Sequence, residues 1–155
     1  YLFNIYLHSK YIYKMTLQLQ VLDLNTYLKE IFGEQPNLNT GLIFKNLPQN
    51  VKYNLRKLAK TIIAEQQVIG EQFKALQDEY FTEEFEKEDG TKDKRVPEDK
   101  FEEFKSKVEE INNTFISVEC YDFKEEDFED NRTGKLVGDE NIYYNIIERI
   151  LNWEV

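Results

Sequence analysis

From Thr16 the chain alternates apolar and polar residues, with Leu17, Leu19 and Val21 on one side and Gln18 and Gln20 on the other. That period of two predicts a half-buried strand over 16–22. The spacing then changes: Leu24, Leu28, Ile31 and Phe32 form the stripe of a short helix over 25–32, which Gly33 should stop. Residues 34–46 contain Pro36, Gly41 and several asparagines and read as a loop with a short turn.

Pro48 opens the longest helical pattern, which runs to about Phe81. Val51, Leu55, Leu58, Ile62, Ile69, Phe73, Leu76 and Tyr80 recur in steps of four and three. Between Ile62 and Ile69 the stripe passes through Gln66, a stutter in an otherwise coiled-coil-like seam. A helix of this extent is about 50 Å long. The charged segment 82–96 follows, with Asp89-Gly90 as a strong turn signal. Pro97 suits the first turn of a second helix, and Glu98 and Asp99 complement its dipole.

Phe101, Phe104, Val108, Ile111 and Phe115 then repeat at three and four. This second helix should fold back antiparallel over 66–80, with Phe73, Tyr80, Phe101, Phe104 and Phe115 as hairpin core. The first half of the long helix, Val51 to Ile62, is left needing another partner. Ile116, Val118 and Cys120 alternate with Ser117, Glu119 and Tyr121, which predicts a strand over 115–123 that can pair with 16–22. Two strands alone are marginal and need a helix to cover them. A final helix is expected over 141–152, with Ile142, Ile146, Ile150 and Trp153 on one side and Ile147 and Leu151 widening the stripe. The fold class is α+β and mostly helical: a long antiparallel helical hairpin packed with a small two-stranded sheet and a C-terminal helix. It forms one domain over 15–155.

Residues 1–14, YLFNIYLHSKYIYK, carry an apolar run too short to span a membrane and interrupted by Asn4, His8 and Lys10. They lack the features of a secretory signal. Two readings stand side by side: an N-terminal arm, or non-native upstream translation ahead of a start at Met15.

Charge narrows the field of functions. Among 155 residues, 30 acids against 20 bases give a net charge of −10, so direct nucleic-acid binding is disfavoured. One cysteine, Cys120, excludes an intrachain disulfide and a thiolate-based zinc site. One histidine, His8, leaves no partner for a nucleophile, so no catalytic triad can be assembled. The paired carboxylates, such as Glu83-Glu84, Glu102-Glu103 and Glu109-Glu110, sit between apolar helical positions and read as solvated faces. No glycine-rich phosphate loop is present. The expectation is therefore a protein that is not an enzyme and has no cofactor and no membrane contact.

Two constellations remain. The segment EDNRTGKLVGDE aligns with a calcium-binding loop, offering Glu129, Asn131, Thr133 and Glu140 as ligands and Gly134 for the sharp turn. Glu stands where Asp is expected at the first position, and Arg132 adds a positive charge; the competing reading is a turn and a helix start with Asp139 as cap. The second is a basic patch on the long helix, Lys52, Arg56, Lys57 and Lys60, suited to an acidic protein partner or to an ordinary solvated face.

Leu47-Pro48, Tyr53, Leu55, Lys57-Leu58, Glu65, the turn at Asp89-Gly90, Val96-Pro97, Phe101 and Phe104 carry a resemblance over roughly residues 16–123. The chain resembles a group of short, acidic, uncharacterised phage proteins often encoded among virion-morphogenesis genes. The resemblance implies protein–protein contacts in virion assembly or an accessory structural role, in the host cytoplasm or the virion, with no catalytic residues to carry over. Partners would be phage or host proteins, or a second copy of the chain. The alternative is an acidic inhibitor that mimics nucleic acid and occupies the basic groove of a host DNA- or RNA-processing enzyme.

Overall fold

A computed structural model of the protein describes residues 14–138 and 144–151. In chain order the elements are β1 (Lys14–Gln20), α1 (Leu24–Phe32), α2 (Gln49–Tyr80), β2 (Glu83–Glu86), β3 (Lys92–Arg95), α3 (Phe101–Asn112), β4 (Phe115–Tyr121) and α4 (Asn145–Leu151). Single turns of 3₁₀ helix fill 21–23, 38–40, 42–44, 98–100 and 125–128. The class is the one the pattern predicts: α+β, mostly helical, with a long helix, small antiparallel sheets and a C-terminal helix.

β1 and β4 pair antiparallel, from Lys14 opposite Tyr121 to Gln20 opposite Phe115. Leu17 and Leu19 on β1 and Val118 and Cys120 on β4 are buried, while Gln18 hydrogen-bonds Ser117 on the solvent side. Val21 stays buried after leaving the strand, and its N–H donates to the Thr114 carbonyl at 2.9 Å. The alternation of side chains thus overruns β1 at one end, and pairing extends the strand back to Lys14 at the other.

Leu24, Tyr27 and Ile31 bury one face of α1. Gly33 ends it at a φ of +83°, a region that favours glycine. The following loop folds back so closely that a side chain on Gly41 would run into the backbone of Phe32 and Gly33.

Pro48 starts α2, its carbonyl accepting the N–H groups of Val51 and Lys52 at 3.1 Å each. The first half of α2 is the centre of the molecule. Val51, Leu55, Leu58, Ala59 and Ile62 are buried beneath α1, β4 and the turn at 42–44. The segment Val51 to Ile62 is therefore covered within the chain, and it is not a face offered to a partner.

The second half of α2 runs on as an arm. Ile69, Leu76 and Tyr80 are buried, and Tyr80 and Phe81 stack on Phe104 of α3 at 5.7 and 5.6 Å between ring centres. Leu76 and Tyr80 lie outside the main core. On α3 no residue is buried: Phe104, Val108 and Ile111 are half-buried and Phe101 is 52% exposed. A pair of helices covers only one side of its seam, so Phe101 is not the core residue its spacing predicts. Phe115, also 52% exposed, departs for a different reason. The helix has ended at Asn112, and Phe115 opens β4 on its outer face, with the Arg149 guanidinium 5.9 Å from its ring. Gly70 sits in mid-helix with nothing within 4 Å of the place a Cβ would take.

At the tip, residues 82–96 form more than a turn. β2 and β3 pair antiparallel, setting Glu83 against Arg95, Glu84 against Lys94 and Glu86 against Lys92 around Gly90 at φ +82°. Opposite charges facing across the ladder stabilise such a hairpin where apolar alternation is missing. At the other end of the molecule α4 buries Ile146, Ile147 and Ile150 against α1 and β1. Tyr144 precedes the helix rather than belonging to it. The expected positions Ile142 and Trp153 lie outside the described residues, as do His8, Asp139 and Glu140.

Candidate functional site

The loop at 129–138 is drawn together by Asp130, a residue the ligand pattern passes over. Its Oδ1 accepts the N–H groups of Arg132 at 2.7 Å and Thr133 at 3.3 Å, and its Oδ2 accepts from Asn46 at 3.3 Å. The backbone closes alongside: Asp130 N–H donates to Lys135 and Gly134 N–H to Asp130, both at 2.8 Å. The bond from the Arg132 N–H, above all, holds the Asp130 carboxyl below the usual carboxylate range. Glu129 forms a bridge with Leu136, Asn131 is tied through its N–H to the Asn46 carbonyl, and Thr133 Oγ1 accepts the Lys135 N–H at 3.3 Å. One 3₁₀ turn, rather than a helix, leads into the loop. Of the expected ligands, Glu129, Asn131 and Thr133 share this turn, and among the described residues no cluster of three or more acids, histidines or cysteines could hold a metal ion. An Asp followed by polar residues and a glycine is an Asx-turn signal, and it could have been found in the sequence.

The basic patch holds together. Lys52, Arg56 and Lys60 follow one another at four-residue steps along α2, with Lys57 beside them. Residues 49–64 contain no acid. Lys52 is half-buried and the other three are exposed. Among the described residues none of the four ends in an ion pair, since the ion pairs formed all lie elsewhere. The Lys57 ammonium instead lies 5.5 Å from the centre of the Tyr53 ring, which is 61% exposed.

Beside this patch a groove of about 510 Å³ runs between α2 and β4. Leu58 and Cys120 line it from the core side, and Lys57 and Lys14 stand at its margins. Lys14 pairs with Glu119 at 3.5 Å. The Cys120 thiol is pushed up to about 12 by burial and, secondarily, by Asp122, so it is protonated at neutral pH and no thiolate is on hand. The paired acids expected as solvated faces, Glu83-Glu84, Glu102-Glu103 and Glu109-Glu110, are all exposed. Two of them have tasks in the arm: Glu83 pairs with Arg95 across the β2–β3 hairpin, and Glu103 accepts the Tyr80 hydroxyl at 2.7 Å.

No described helix is long and apolar enough to cross a membrane. Comparison of the chain with protein-family models, curated proteins and solved structures finds no match.

Proposed function

We propose that this is a non-enzymatic phage protein that works by binding other proteins, in virion assembly or as an accessory structural component. The arm carries the reading. The distal part of α2, with the first part of α3 and the β2–β3 hairpin, extends beyond the main core, and Phe101 is exposed at its side. A chain that commits so much of its length to a thin, charged projection gains little stability from it, since α3 buries no residue completely. Such a projection suits contact with a second molecule.

Charge favours this reading over mimicry of nucleic acid. The acids of α3 are interleaved with Lys100, Lys105 and Lys107, and acidic β2 is matched by basic β3. A duplex mimic needs uninterrupted negative rows. Affinity purification of the full chain from infected cells tests the proposal: capsid or tail proteins should co-purify, whereas recovery of a nuclease or polymerase would select the mimicry reading.

A further inference from the structure

We propose that the outward face of α2 pairs antiparallel with the same face of a second copy of the chain, making a closed two-fold dimer. This stands apart from the choice of phage or host partner.

The buried stripe of α2 is covered by the rest of the chain, and the opposite side carries a second stripe. Tyr53, Lys57, Lys60, Ala64, Gln67 and Glu71 recur in steps of four and three, and Asp78 follows seven residues later. All are exposed, as are Val68 and Ala75 beside them. Residues three and four apart lie along one side of a helix, the spacing by which two helices meet along a seam.

Charge divides α2 in half. Residues 49–64 hold Lys52, Arg56, Lys57 and Lys60 and no acid, whereas residues 65–80 hold Glu65, Glu71, Asp78 and Glu79 and one cation, Lys74. Among the described residues none of these side chains ends in an ion pair. The order also runs against the dipole of the helix, which favours acids in the first turn and bases in the last. Here the first turn has no acid and the last no base. The pattern therefore does nothing for α2 on its own.

A second copy satisfies both halves at once. Laid parallel, two such helices would set like charges together along their whole length. Laid antiparallel with the midpoint between Ala64 and Val68, Lys60 of each copy falls beside Glu71 of the other, and Lys57 within about a turn of Asp78. Every contact then occurs twice, as a two-fold axis requires. Val68 near the axis and Tyr53 toward the end, 53% and 61% exposed, add apolar surface to the seam. Charge fixes the orientation more than the strength of such a contact. An acidic partner protein would match the basic half alone and meet repulsion from the other.

Sedimentation equilibrium of the full chain is the test. The chain should dimerise with concentration, and the dimer should weaken as salt is raised. Lys57→Glu with Lys60→Glu should raise the dimer Kd about tenfold or more, and so should Glu71→Lys with Asp78→Lys. All four positions are exposed, so the melting temperature of each variant at high dilution should stay in place. An equimolar mixture of the two variants should dimerise again, because each half then meets its opposite. A chain still monomeric at about 1 mM, a dimer indifferent to both variants, or a mixture that stays monomeric would overturn the proposal. So would assembly beyond the dimer, or a monomeric chain whose Lys57 and Lys60 capture an acidic protein or an oligonucleotide. Recovery of capsid or tail proteins is a separate readout, and it can succeed or fail with either result.

Discussion

The Glu30 carboxylate holds the start of α4 through Ile146, accepting its N–H at 2.8 Å on one oxygen and the Asn145 N–H at 2.8 Å on the other. The first N–H groups of a helix have no partner inside it, and a carboxylate also complements the positive end of its dipole. The Asn145 amide adds a bond at 2.7 Å. A residue of α1 thus docks a helix that lies 115 positions later in the chain.

Glu30→Ala should release that end of α4. Bonds to a charged acceptor at a partly exposed site are worth about 1–2 kcal/mol, so a loss of that size is expected in denaturant unfolding. Amide exchange should quicken at Asn145 and Ile146 and stay unchanged in α2.

Tyr80 and Glu103 give the arm a pH window. The hydrogen bond between them, first among the causes, pushes the Tyr80 hydroxyl up to about 12 and holds Glu103 below its usual range. The folded tyrosine keeps its proton longer than the unfolded one. Its contribution is therefore complete below 10.0 and is lost as pH rises through about 12. The folded glutamic acid gives up its proton earlier than the unfolded one, so its contribution is present above 4.5 and fades as pH falls. Protection of the α3 amides, taken relative to the intrinsic exchange rate at each pH, should be greatest between these limits. Tyr80→Phe should abolish the alkaline limb of that dependence.

Cys120 should resist thiol reagents in the native protein. With its thiol raised from 9.0 to about 12, the thiolate fraction at neutral pH falls roughly a thousandfold. Labelling followed by absorbance should be slow in buffer and rapid in denaturant. Fast native labelling would show that the sulfur is not packed against α2.

Asp130→Ala should lower the melting temperature, because it removes the acceptor of two backbone N–H groups and of Asn46. Millimolar calcium should leave the melting temperature of both chains unchanged if the loop is a turn held by Asp130. A rise in the wild type alone would restore the calcium reading of Glu129, Asn131, Thr133 and Glu140.

Gly41→Ala should cost about 2 kcal/mol, in the range of a core forced to accept an extra methyl group. Its φ of −65° is one that alanine adopts readily, so backbone preference alone predicts no harm. The harm comes from the backbone of Phe32 and Gly33, which fills the space.

The parts of this fold legible in the sequence are those whose signal is periodic. Leu17, Leu19, Val118 and Cys120 announced a paired sheet, and the four-three spacing from Val51 to Tyr80 announced α2 almost to the residue. Phe101 and Phe115 misled, because spacing reports which side of an element is apolar and not whether anything lies against it. The β2–β3 hairpin was hidden for a related reason: Phe85 is the one apolar residue in its two strands, and the pairing is written instead in opposed charges. The Glu30 cap was beyond reach, since nothing local marks a glutamate on α1 as the partner of a helix so distant. In the candidate site the basic row was visible as composition. The groove beside it depends on β4 lying across α2, a relation between segments that neither one encodes alone.

The continuity of α2 has a mechanical meaning. Its 32 residues carry one ladder of backbone hydrogen bonds from the centre of the core to the tip, with no loop between. A load applied at the tip hairpin would reach the core along a lever whose part beyond Phe73, which packs on the core, is about 10 Å long up to Tyr80. Gly70 is the residue of α2 with the least helical preference, and Ile69 and Phe73 on either side of it are held on the core. Pulled or pushed, the protein should bend beyond Phe73 first, leaving the sheet and the basic row where they were.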